Sequence, residues 1–301
     1  MSKAPTKGLV SLLRLPYWMM TGGLSLLTSL AITKGPVDLQ TALLTFFSMA
    51  AITSAGFAIN DYFDRESDAV IKPKRPIPSG ALSLKQVVAI SVILFIVGLG
   101  LAALINHLSL IILVVDSILL VFYSALVKRK SGFAANILVG ILTGTAFLYG
   151  EAVTLGANVI SPFSLSLASL SLYPIALGTV GGNVLRDILS LEGDSKVGYP
   201  TLPQKIGSAH AVDVAAVFFA VTGVFAPLPY LLSAFTGFTV YYLPLVLVWS
   251  VLLVYSSVRL VTSASTVENV RKYERLVTMS MILLPLALIV EALSPVIGGF
   301  L

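Results

Sequence analysis

The chain has no cysteine, only two histidines, and charge on just 11% of its 301 residues. Without thiols there is no disulfide, no thiolate metal site and no cysteine nucleophile. His107 and His210 fall in separate connections, on opposite sides of the membrane in the topology derived below, which argues against a histidine metal centre or a histidine-based triad. A soluble domain carries roughly 25% charged residues, whereas this chain is 57% hydrophobic. The opening "MSKAPTKGLVSLLRLPYW" lacks a small-residue cleavage pattern and runs straight into an apolar stretch, so no removable signal peptide is expected.

What the sequence has in abundance is apolar runs. About 20 apolar residues cross a bilayer as a helix, and nine such runs lie near 15–32, 39–59, 87–105, 108–127, 133–150, 163–183, 211–234, 238–261 and 276–298. The expectation is an all-α integral membrane protein of nine transmembrane helices, forming one membrane domain over 1–301. With the N-terminus in the cytoplasm, 18 of the 19 basic residues fall on the inner side and only Lys34 lies outside. That asymmetry is the signature of lysine and arginine resisting translocation. The net charge of +5 matches an anionic inner leaflet and needs no nucleic-acid partner. The inner loops 60–86, 128–132 and 184–210 hold nearly all the polar chemistry, so a site at the cytoplasmic face of a cell membrane is expected.

Two of these loops repeat one device. "NDYFDRESDAVIKPKRPIPSG" places Asp61 and Asp68 seven apart, "NVLRDILSLEGDSKVGYPTLPQKIG" does the same with Asp187 and Asp194, and the offset between the pairs is 126 in both cases. In helical geometry Asp61, Asp64 and Asp68 stand at i, i+3 and i+7, on one face. Carboxylates so placed repel one another unless something positive sits among them, and a hard, oxygen-ligated cation such as Mg²⁺ suits them. Two facing acidic segments could hold two or more such ions, which typically take substrate phosphate oxygens as further ligands. Lys72, Lys128, Arg129, Arg186 and Lys196 lie in or beside the same loops, where they could neutralise a diphosphate. Each also satisfies the simpler reading of a residue that only sets topology.

At this point a family comes into view. "NDYFDRESD" resembles the NDxxDxxxD motif of the UbiA superfamily of intramembrane prenyltransferases, and "PKRPIPSG" resembles the segment that follows it there. "DILSLEGDSKVGYPTLP" looks like the second aspartate motif, and "FYSALVKRKSGFAANILVGILTGTAFLYG" is similar to the corresponding stretch of archaeal lipid-forming members. The resemblance implies Mg²⁺-dependent transfer of a polyprenyl group, geranylgeranyl in that branch, from its diphosphate to an acceptor. The acceptor it implies is the lipid geranylgeranylglyceryl phosphate, with an aromatic quinone precursor such as 4-hydroxybenzoate as the alternative. By position it assigns Asn60, Asp61, Asp64 and Asp68 to the first metal-binding set and Asp187 and Asp194 to the second, with Tyr123 and Lys128 over the reacting end. The sequence departs from the archaeal pattern at Ser190, where a third aspartate is usual, at Gly182–Asn183, where an Arg-Glu pair is usual, and at Lys74.

Three other features are noted. Asp116 lies in the middle of the fourth run, where a carboxylate must face the bundle interior. It is the one feature that would suit a transporter, whose coupling sites lie at mid-membrane; the acidic clusters lie at span ends. Pro174 and Pro285 are expected to break their helices, and the glycines of "GTVGGN" to permit close helix packing.

Overall fold

A computed structural model describes residues 4–196 and 198–299, leaving Lys3 of the inner basic set outside the described residues. Every regular element among them is helical. The order is α1 (Ala4–Leu13), α2 (Leu24–Thr33), α3 (Leu39–Phe63), α4 (Arg65–Ile71), α5 (Leu84–Ala103), α6 (His107–Lys130), α7 (Gly132–Ala152), α8 (Leu167–Leu189), α9 (Leu191–Lys196), α10 (Leu202–Leu231), α11 (Val240–Thr262) and α12 (Val267–Ala292). Eight of these, α3, α5 to α8 and α10 to α12, are long and apolar enough to cross a membrane. The first expected run, 15–32, is not one continuous α-helix: a wide π turn over Met19–Gly23 precedes α2.

The helix ends follow from local chemistry. Asp38, Asn106, Ser131 and Thr266 cap α3, α6, α7 and α12 by accepting a backbone N–H, and Ser83 and Gln86 form a reciprocal capping box on α5. Pro174 sits in a 3₁₀ turn, Tyr173–Leu177, inside α8. In α12 the regular α-helix lapses between Ser280 and Leu283, the turn whose carbonyls Pro285 cannot engage.

Lipid gives helices no hydrophobic reason to associate, so close backbone approach and hydrogen bonds must hold them. A Cβ on Gly22 would lie 2.5 Å from the Phe46 carbonyl oxygen, and one on Gly150 would lie 2.5 Å from that of Ser25. Only glycine permits either contact. Ser48 and Tyr149 share a hydrogen bond at 2.6 Å between α3 and α7, Ser91 of α5 donates to the Ala55 carbonyl at 2.9 Å, and Ser257 of α11 donates to that of Ala216 at 2.7 Å. One apolar core joins α2, α7, α8 and α10 to α12, a second joins α3, α5, α6 and α7, and a small cluster around Leu12, Ala58, Leu82 and Val87 pins α1 to α3 and α5.

At the end of the bundle away from the acidic loops, Glu291 is fully buried. It accepts from the Thr239 backbone N–H at 2.9 Å and the Thr239 hydroxyl at 2.7 Å, and pairs with Lys34 at 3.2 Å. The sequence reading gave Glu291 no part; the structure makes it a clasp between α2, α12 and the α10–α11 connection. Glu151, also buried, performs a similar task by accepting from the Ser166 N–H at 2.9 Å and from the Ser169 hydroxyl.

Candidate active site

The ends of α3, α6 and α8 and the short helices α4 and α9 meet around a cavity of about 280 Å³. Its wall holds Asp64, Asp68, Asp187 and Asp194, bringing both acidic loops to one space, with Lys72, Lys128 and Arg186 among them. Tyr123 lines it too, at the start of a second π turn, Tyr123–Val127. π turns recur at functional sites because they re-aim the side chains of a helix.

Each carboxylate has its own setting. α3 ends at Phe63, but the Asp64 N–H still reaches the Asn60 carbonyl at 2.9 Å and the Asp68 N–H reaches that of Asp64 at 2.8 Å. The chain therefore stays nearly helical from 60 to 71, and Asp61, Asp64 and Asp68 lie on one buried side. Asp64 is the most heavily engaged. Its Oδ1 accepts from the Tyr199 hydroxyl at 2.7 Å, its Oδ2 accepts from Asn60 Nδ2 at 2.8 Å, and Lys128 Nζ pairs with Oδ2. Burial pushes the Asp68 carboxyl above its ordinary range, against the pull of nearby Lys72. Asp187 Oδ2 accepts from Asn136 at 2.8 Å, and Asp194 Oδ2 from the Ser190 hydroxyl at 2.6 Å.

Four expected site residues do not line this cavity: Asn60, Asp61, Arg129 and Lys196. Asn60 stands behind Asp64 and orients it. Asp61 is 2% exposed and sits between two guanidinium groups, Arg14 at 2.7 Å and Arg75, with Arg75 also 3.9 Å from Asp68. Arg129 donates to the Phe63 carbonyl at 2.9 Å, tying α6 to the end of α3, and Lys196 is exposed at the end of α9. Arg186 lines the cavity edge while donating to Glu274 and Asn183, each at 3.1 Å.

Tyr199, Asn136, Arg14 and Arg75 were absent from the sequence expectation. Arg75 stands in "PKRPIPSG", just after the first motif, and Tyr199 in the "VGYP" of the second, so both were within sight. Nothing in the sequence pairs Arg14 with Asp61 or Asn136 with Asp187. The Tyr199 hydroxyl, between Asp64 and Ser67 at 3.0 Å, has its pKa pushed up to about 12 by burial, so it remains a neutral donor at ordinary pH.

The donors facing the cavity are hard oxygens, as a magnesium ion requires, and behind them buried Asn60 Oδ1 and Asp61 Oδ2 have no hydrogen-bond partner among the described residues. Among the described residues, no three carboxylates or imidazoles converge closely enough to enclose an ion by themselves. Such a donor set suits Mg²⁺, which usually keeps waters and substrate phosphate oxygens alongside one or two protein carboxylates.

The chain is 37% identical to the digeranylgeranylglyceryl phosphate synthase of Natronomonas pharaonis over 231 residues, 76% of this chain and 79% of the relative. It is 33% identical to the enzyme of that name from Methanocaldococcus jannaschii over 258 residues, 86% of each chain. A solved digeranylgeranylglyceryl phosphate synthase superposes with a TM-score of 0.79 at 30% identity, covering 96% of this chain and 99% of that one. A UbiA homolog from Archaeoglobus fulgidus bound to GPP and Mg²⁺ shares the fold at a TM-score of 0.64 and 19% identity, over 94% of this chain and 99% of that one. The model of the UbiA prenyltransferase family matches residues 23–283, and this integral membrane protein belongs to that family of prenyl-transferring enzymes.

Proposed function

We propose that this enzyme transfers a geranylgeranyl group from its diphosphate to the free hydroxyl of geranylgeranylglyceryl phosphate, joining a second ether-linked chain to the glycerol. The observation that carries the reading is the convergence of both acidic loops and three basic side chains on one cavity, in a chain whose relatives carry the name of that activity. The site faces the cytoplasm, with the N-terminus on the same side and nine crossings once the broken 16–33 segment is counted.

The chemistry follows from the residues. The diphosphate lies among Lys72, Lys128 and Arg186, whose charges stabilise it as the allylic C–O bond breaks and the electron pair leaves with it. The acceptor hydroxyl oxygen forms the new C–O bond, and the departing diphosphate takes up the hydroxyl proton. Asp64 holds Lys128 in place, and Tyr199 and Asn60 hold Asp64, so the cation is positioned before substrate arrives. Asn136 does the same for Asp187. Asp64 and Asp68, with Asn60 and Asp61 standing behind them, would provide one magnesium-binding set and Asp187 and Asp194 the other, two or more ions in all. When bound, the metal supplies Lewis-acid neutralisation of the diphosphate. The UbiA homologs of A. fulgidus bound to GPP and to DMAPP, each with Mg²⁺, support both the metal and a prenyl diphosphate donor.

The test offers labelled geranylgeranyl diphosphate and Mg²⁺ to purified protein in detergent, with geranylgeranylglyceryl phosphate or 4-hydroxybenzoate as acceptor, with and without EDTA. Product with the glycerol lipid, abolished by EDTA, is expected. Product with the phenol alone would move the assignment to an aromatic prenyltransferase.

A further inference from the structure

The two acidic segments are one repeat in sequence, but the fold neutralises them differently. The offset of 126 that relates Asp61 to Asp187 and Asp68 to Asp194 also relates Asp64 to Ser190 and Asn60 to Arg186. The second segment therefore has one carboxylate fewer, with a hydroxyl in the place of the most heavily bonded carboxylate of the first.

In the first segment the protein supplies its own positive charge. Asp64 pairs with Lys128, Asp61 lies between Arg14 and Arg75, and Asp68 has Arg75 at 3.9 Å. Both oxygens of Asp64 are engaged, Oδ1 by Tyr199 and Oδ2 by Asn60 and Lys128. All three carboxylates are buried. The second segment lacks such partners. Among the described residues, no lysine or arginine nitrogen lies within 4 Å of an Asp187 or Asp194 oxygen. Arg186, beside them, is paired with Glu274 at 3.1 Å. Asp187 and Asp194 each accept from an uncharged donor on Oδ2, and no donor of the described residues reaches either Oδ1. Both are only half-buried, and Ser190 is exposed.

Two carboxylates that face one cavity without a protein cation gain more from an added positive ion than carboxylates already paired. Magnesium also gives up its waters reluctantly. A half-open set, with one oxygen on each carboxylate that no protein donor engages, admits a hydrated ion more readily than a buried set that already holds a lysine and a tyrosine.

We propose that the two loops take metal in order: Asp187 and Asp194 bind an ion without any diphosphate, and Asp64 and Asp68 take metal only together with the diphosphate, which then accepts the charge of Lys128 and Lys72. The inference rests on the metal-diphosphate reading above. It adds an order of loading and makes Ser190 the residue that keeps the second set a two-carboxylate site.

The test titrates purified protein in detergent with Mn²⁺ alone, an ion that takes the same oxygen ligands, by calorimetry. A second titration delivers the preformed complex of Mn²⁺ with inorganic diphosphate. Wild type is expected to bind Mn²⁺ alone. Asp187→Asn and Asp194→Asn should each weaken that binding by roughly tenfold or more, and Asp64→Asn should leave it within about threefold, because ligand charge sets the affinity of such sites. For the diphosphate complex, Asp64→Asn should lose roughly tenfold as well. Ser190→Asp adds a carboxylate at an exposed position and should tighten Mn²⁺ alone by roughly tenfold, a readout that removes no native contact of Asp187. Four results would each overturn the order: no binding of Mn²⁺ alone by wild type, equal losses of it in Asp64→Asn and Asp194→Asn, an Asp64→Asn variant unaffected in both titrations, or a Ser190→Asp variant no tighter than wild type. Because the metal titration uses no prenyl substrate, a wild type that loads metal through the second loop but makes no product with the glycerol lipid would overturn the acceptor assignment and leave the loading order standing.

Discussion

Tyr199 donates its hydroxyl to Asp64 Oδ1 at 2.7 Å, across 135 residues of sequence. The bond closes the second motif onto the first, and with Lys128 and Asn60 on the other carboxylate oxygen it fixes Asp64 from both sides. A carboxylate held this way cannot swing out of the cavity when the diphosphate binds or leaves.

Replacing Tyr199 by Phe removes that bond and keeps the ring. A hydrogen bond to a charged group contributes about 1.5–3 kcal/mol, so kcat/KM should fall about 10- to 100-fold. Steady-state kinetics would show it. A variant within twofold of wild type would mean that Asp64 needs no support from the second loop.

Asp61 and Asp194 should separate activity from stability. Asp61→Asn leaves Arg14 and Arg75 facing a neutral amide in a buried site. Breaking a buried pair costs up to about 3–5 kcal/mol, and the partial exposure of the arginines puts this case at the low end. Turnover should disappear and the melting temperature should drop. Asp194 is partly exposed and bonded to Ser190; Asp194→Asn should lose turnover with the melting temperature little changed. Full activity in either variant would contradict the two-set metal site.

Glu291 gives the opposite outcome. Its carboxylate is 0% exposed and holds Thr239 and Lys34 far along the bundle from the cavity. Glu291→Ala leaves the Thr239 N–H and hydroxyl without their acceptor and takes the carboxylate from Lys34, which keeps the Gly237 carbonyl, and should destabilise the protein by about 3 kcal/mol. Activity per folded molecule should be unchanged. Thermal denaturation in detergent, paired with an assay normalised to folded protein, distinguishes this from a catalytic role.

Much of this was legible in the sequence because it is local. Hydropathy marks the spans, and the spacing of Asp61, Asp64 and Asp68 sets a shared face wherever the backbone is helical. The matching offset of Asp187 and Asp194 points to a second acidic set. What could not be read is what distant segments do to one another. Arg14 reaches Asp61 from before the first apolar run, turning a presumed cavity carboxylate into the centre of a buried ion cluster. Asn136 lies in an apolar helix 51 residues before Asp187, and only the packing of α8 on α7 brings the two together. The π turn at Met19–Gly23 includes Gly22, whose close approach to the Phe46 carbonyl is likewise a tertiary contact.

The central claim is that both acidic loops serve one diphosphate. It is tested most directly by measuring Mg²⁺-dependent binding of geranylgeranyl diphosphate to wild type, Asp64→Asn and Asp187→Asn by titration calorimetry, with EDTA as control. The account predicts tight binding by wild type, its loss in EDTA, and a loss of tenfold or more in each variant. Wild-type affinity in either variant, or binding indifferent to EDTA, would contradict it.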